Sequence, residues 1–101
     1  MNVLNAISKV RFASARPQRV QLGASGDLSA DLLCFEPGQA LAVSSGRRTY
    51  YLITGSLTVR DAAGAGQPLP AGGLAVPDAE EAHNLLNEGE TRAVCLCVRC
   101  G

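Results

Sequence analysis

The chain has 101 residues, 47% of them hydrophobic, and its nine basic and nine acidic side chains cancel to zero net charge. That length suits one domain with a modest core, and the apolar content is too high for disorder. No run approaches the 18 apolar residues of a membrane helix, and a neutral chain with four aromatic residues supplies neither a basic groove nor stacking platforms for nucleic acid.

The first segment, NVLNAISK (2–9), predicts one or two helical turns, with Asn2 as cap and Val3, Leu4 and Ile7 on one face. Pro17 ends this arm. The N-terminus lacks the basic-then-apolar order of a secretion signal, so a cytoplasmic protein is expected. Residues 1–26 carry Lys9, Arg11, Arg16 and Arg19 and no acid, whereas 78–90 carry five acids and no Lys or Arg. Four charges so spread make no dense patch. They read as a solvated arm, or as one that pairs with the acidic segment.

Beyond the arm no long segment has helical period. RVQLGA (19–24) alternates as a strand does, and SADLLCF (29–35) is a second strand, stopped by Pro37 and Gly38. ALAV (40–43) is short and apolar. TYYLI (49–53) is aromatic and β-branched, a strong strand pattern. Gly55 and Ser56 predict a hairpin into LTVRD (57–61). Residues 61–73 read as a loop around at most one very short strand. GLAVP (73–77), AHNLL (82–86) and TRAVCLCVR (91–99) complete the set. Short strands with frequent turn residues predict an all-β sandwich or small barrel. One domain over 1–101 is expected, with an arm at 1–18 and a barrel at 19–99.

From Asp31 to Val98 the order of features resembles the cupin family, small jelly-roll β-barrels (double-stranded β-helices) of the conserved single-domain type. The family's second motif places Gly, Pro, His and Asn at set spacings, and this chain has Gly72, Pro77, His83 and Asn87. Pro77 sits one place early, and the usual Gly between Pro and His is missing. The first motif normally supplies two histidines and a glutamate that bind a metal with the second-motif histidine. Here it reads PGQALAVSSGRRTYYLITG. Counting back from Gly55 puts Arg48 at the glutamate place. The histidine places fall on Ser44 and Gly46 counting forward, or on Ala42 and Ser44 counting back. Of the family's ligands only His83 remains.

A catalytic zinc or iron site needs about three imidazole, thiolate or carboxylate ligands, and a permanently charged Arg opposes one. The metal-dependent chemistry implied by the resemblance is therefore not carried over, and no cofactor is expected. Along a strand, Arg48, Tyr50 and Leu52 share a face. Arg48 and Tyr50 with His83 and Ser44 form a candidate pocket for a small acidic or polar metabolite, which Arg can bind bidentately. The expected role is that of a sensor or accessory protein. The alternative is a small isomerase or lyase that uses His83 as acid–base, with or without a rebuilt metal site.

Four cysteines stand at 34, 95, 97 and 100. Alternation puts Ala93, Cys95, Cys97 and Arg99 on one face of the last strand and Val94, Leu96 and Val98 on the other. Buried, unreactive thiols are the favoured reading. A soft metal held by His83, Cys95 and Cys97, joined or not by Cys34, is a weaker one, because C-x-C-x2-C is no structural-zinc spacing. A Cys–His nucleophile pair has no supporting local motif. The resemblance also implies a homodimer, and pairing would protect edge strands.

Overall fold

A computed structural model describes Met1 and residues 3–101. Nine strands follow the arm: β1 (Gln18–Ser25), β2 (Leu28–Phe35), β3 (Ala40–Val43), β4 (Arg47–Thr54), β5 (Ser56–Arg60), β6 (Gly66–Pro70), β7 (Leu74–Ala75), β8 (His83–Leu86) and β9 (Ala93–Cys100). They form a five-stranded sheet, β1-β2-β9-β4-β7, and a four-stranded sheet, β3-β8-β5-β6. The two sheets face each other as a jelly roll. The predicted all-β class is thus what the chain adopts. Among the described residues no helix is long and apolar enough to cross a membrane.

Leu33, Phe35, Tyr50, Leu52, Cys95 and Cys97 from the larger sheet meet Val43, Leu57, Leu69 and Leu85 from the smaller one, and these make the main core. A second cluster lies outside the larger sheet. There Ala6, Val10 and Phe12 of the arm and Val20, Leu22 and Ile53 pack on Leu32, Cys34 and Val94. That cover is why the second half of β2 is buried on both faces. It also accounts for the near-continuous apolar run LLCF in an antiparallel strand, where one solvated face is the norm.

The arm itself departs from expectation. It holds a single 3₁₀ turn, Ala6–Lys9, capped by Asn5, whose side chain accepts from Ile7 N at 3.0 Å. Asn2, the expected cap, lies outside the described residues. Val3, Leu4 and Ile7 are exposed, and the inward contacts come from Ala6, Val10 and Phe12. Among the described residues the ion pairs are Arg60–Glu88, Arg92–Glu36 and Arg99–Asp31, so none joins the arm to the 78–90 segment.

The predicted β4–β5 hairpin does not form. β4 pairs with β9 and β7, and β5 pairs with β6 and β8. Gly55 instead carries the chain from one sheet to the other. Its φ is +83°, and a Cβ there would collide with Arg92 O and Ala93, so only glycine makes this close crossing. The hairpin lies one strand later. Asp61 N donates to Ala65 O and Ala65 N to Asp61 Oδ1, both at 2.9 Å, which closes the turn from β5 to β6. β6 carries Pro68 and Pro70, and it is an edge strand, where a missing N–H costs no ladder bond.

Candidate functional site

Two cross-strand rows of the larger sheet carry its inward polar side chains, Asp31, Tyr50, Arg48 and Arg99. Register aligns Gln21, Asp31, Cys97, Tyr50 and Ala75 across β1, β2, β9, β4 and β7. One step along, Ser29, Arg99 and Arg48 align across β2, β9 and β4. His83 faces these rows from β8.

His83 is 4% exposed and Tyr50 fully buried. The Tyr50 hydroxyl lies 2.7 Å from His83 Nε2, and His83 Nδ1 lies 3.2 Å from Glu81 O. A carbonyl oxygen only accepts, so Nδ1 carries the proton and Nε2 accepts from the Tyr50 O–H. Both ring nitrogens are thereby engaged. Burial pushes the Tyr50 phenol up, Cys97 adds to this, and nearby Arg48 acts against it. Tyr50 therefore remains a protonated donor at neutral pH.

Two clefts open on either side of Val76 and Pro77, which line both. The first, about 380 Å³, is lined by His83 with the acids Asp61, Asp78 and Glu81. The second, about 320 Å³, is lined by Arg47, Arg48, Arg99 and Cys100 and by no acid. His83 and Arg48 therefore do not share a cleft; Tyr50, bonded to one and close to the other, stands between them. Ser44 is exposed just beyond β3 and lines neither cleft.

Arg48 is held by its surroundings. A Cβ on Gly46 would stand 2.7 Å from Arg48 Nη2, so glycine leaves room for the guanidinium. Gly46 N donates to Ala79 O at 2.7 Å and ties that loop to the turn before β8. Arg48 Nε is buried and has no hydrogen-bond partner. Arg99 Nε donates to Asp31 Oδ2 at 3.0 Å, and Asp31, 1% exposed, leaves Oδ1 unpartnered. Asp31 was passed over in the sequence, although a lone acid inside the apolar run SADLLCF is a signal for a buried paired charge.

The cysteines divide between the two faces of the larger sheet. Cys95 and Cys97 face the interior, while Cys34 lies in the outer cluster under the arm. Burial, reinforced by Cys97, pushes the Cys95 thiol up to about 12, and burial also raises Cys97 and Cys34. Metal ligation needs thiolates. Among the described residues no three His, Cys, Asp or Glu side chains are grouped to hold a metal ion. With His83 Nε2 already bonded to Tyr50, these residues do not fit the metal that the family resemblance implies. The alternative set of His83, Cys95 and Cys97 fails for the same reasons, and Cys34 stands on the wrong side of the sheet to join it.

Asn87, the other surviving motif residue, is a strut. It is buried, and its Nδ2 donates to Thr91 O at 2.9 Å and to Phe35 O at 3.4 Å. Its Oδ1 accepts from Gly89 N at 3.1 Å.

No protein-family model and no curated protein matches the chain. Solved structures do. A Klebsiella pneumoniae protein with a double-stranded β-helix domain aligns at TM-score 0.89 and 21% identity, over 99% of this chain and 90% of that one. A Thermus thermophilus protein aligns at 0.90 and 24%, over 99% and 97%. An RmlC-like cupin protein from Desulfovibrio desulfuricans aligns at 0.82 and 21%, over 98% and 96%. These likenesses establish the fold: the chain is a cupin-type double-stranded β-helix.

Proposed function

We propose that this barrel binds a small organic anion without a metal, in a sensor or accessory role. The observation that carries the reading is Arg48. Its Nε is a buried donor with no partner, at a cleft lined by Arg47, Arg48 and Arg99 and by no acid. A buried unpaired donor on a charged group is costly, and an anion supplies the missing acceptor. The acidic surroundings of the other cleft argue against the same ligand there. Tyr50 and His83 then act as support, since their mutual bond fixes the floor on which Arg48 stands. The test is calorimetric titration of small carboxylates and phosphates into the protein and into Arg48→Ala. Binding should fall at least about tenfold in the variant, the worth of one charge-assisted bond. Unchanged binding across the panel would refute the reading.

An isomerase or lyase reaction at His83 is the second reading, favoured by the ring's position on the first cleft. It requires the ring to exchange its Tyr50 bond for substrate. A homodimer is also proposed. Tyr51 and Leu74 pair across β4 and β7 and are exposed, as is Val76 beyond them, so an apolar strip lies at a sheet edge. Light scattering tests it, and a monomer at millimolar concentration would exclude this dimer.

A further inference from the structure

We infer that the anion taken at the arginine cleft is a dicarboxylate, with one carboxylate held by Arg48 and the other by Arg47. The inference rests on the anion-site reading and narrows it. The cleft lies at one end of the larger sheet, where β4 begins at Arg47 and β9 ends at Cys100. Three cations line it, and they are not equivalent. Arg99 donates to the buried Asp31 at 3.0 Å, so its charge is already matched. Arg47 and Arg48 make no ion pair among the described residues. Neither neighbouring acid lines this cleft: Asp78 lines the other one, and Asp27, which accepts from Cys100 Sγ at 3.6 Å, lines neither. The cleft is left with two unmatched positive charges, and a ligand with two negative charges balances them.

Position decides how those charges are spaced. Arg47 and Arg48 are successive residues of β4, and successive side chains leave a strand on opposite faces. Arg48 goes with the buried Tyr50 and Leu52, and Arg47 with Thr49 and the exposed Tyr51. Both line the cleft because it wraps the end of the sheet. A compact dianion such as phosphate needs both guanidinium groups at one point. Groups that come from opposite faces suit two carboxylates joined by a short chain, and Val76, Pro77 and Val98 give that chain an apolar wall. A monocarboxylate answers one arginine and leaves the other unmatched. A cleft of about 320 Å³ admits a diacid of a few carbons.

Pairs differing by one carboxylate provide the test: acetate and malonate, propionate and succinate, butyrate and glutarate, with inorganic phosphate as the compact dianion. Each is titrated into the protein, Arg47→Ala, Arg48→Ala and, as a control for lost charge away from the cleft, Arg16→Ala. Circular dichroism checks that the variants fold. At least one diacid should bind about fivefold or more tightly than its monoacid, beyond the statistical gain from two equivalent carboxylates. That preference should vanish in Arg47→Ala and persist in Arg16→Ala. Arg47 is exposed, so its truncation leaves the core untouched, and the comparison within the unaltered protein needs no variant. Equal binding within every pair, with Arg48→Ala still abolishing it, would overturn the dicarboxylate assignment and leave the anion site standing. Phosphate binding most tightly, or a preference that survives Arg47→Ala, would also overturn it. No binding by any of these anions would remove both.

Discussion

Removing one oxygen, Tyr50→Phe, isolates the contact that joins the two sheets at the site. The Tyr50 hydroxyl donates to His83 Nε2 at 2.7 Å, and both residues are buried. Phenylalanine keeps the ring and leaves Nε2 without a donor, in a place where water has poor access. Stranding a buried acceptor costs about 1–3 kcal/mol. A domain of this size has about 5–15 kcal/mol of stability in all, and each kcal/mol moves Tm by about 4–8 °C. A loss of about 2 kcal/mol and about 10 °C is therefore expected. Urea denaturation of both proteins measures it, with unchanged m-values confirming a two-state comparison. Adding His83→Leu to Tyr50→Phe removes the stranded acceptor too. The double variant should then lose less than the sum of the singles by about 1–2 kcal/mol. Nitrogen NMR of the imidazole should show the Nδ1–H tautomer. A cost for Tyr50→Phe under about 0.5 kcal/mol, or an Nε2–H tautomer, would refute this account of the pair.

Further outcomes follow from other contacts. Gly46→Ala puts a Cβ against Arg48 Nη2, so it should weaken anion binding several-fold with no charge removed; titration of the best carboxylate checks this. Asn87→Ala frees Thr91 O, Phe35 O and Gly89 N and should cost about 2–3 kcal/mol by urea denaturation. The Cys95 thiol, at about 12 when folded, stays protonated while the unfolded thiol ionises from about 8.5. Its contribution is fully present below that pH and is lost as pH rises towards 12, by up to about 1.4 kcal/mol per unit. Stability measured from pH 7 to 10 should fall with this sign, and Cys95→Ala should reduce the slope, the buried Cys97 and Cys34 thiols supplying the rest. Iodoacetamide at pH 8 should leave Cys95 of the native protein unmodified.

Local pattern carried much of the fold. Alternation placed Tyr50 and Leu52 on one face of TYYLI and Cys95 and Cys97 on one face of AVCLCVR, and all four are buried in the interior core. The spacing of Pro37–Gly38, Gly72, Pro77, His83 and Asn87 pointed to the jelly roll that the chain adopts. Local pattern failed where the chain changes sheet. A glycine between two strands reads as a hairpin, and nothing within a few residues of Gly55 reports that Arg92 and Ala93 cross it. It fell short again at β6, where a segment read as a loop around at most one very short strand forms a five-residue strand whose Pro68 and Pro70 are accommodated at the sheet edge.

The candidate site shows the same division. Sequence alone singled out Arg48, Tyr50 and His83, and determined which strand face Arg48, Tyr50 and Leu52 share. These are matters of residue identity and of a two-residue period. The tertiary structure alone decided that Arg48 and His83 line different clefts, that Tyr50 closes on His83, and that Arg99 stands beside Arg48 and pairs with Asp31. Asp31 and Arg99 are 68 residues apart, and they meet through the register of β2 on β9. Register is set by packing summed over the whole sheet, so no short stretch of the chain contains it.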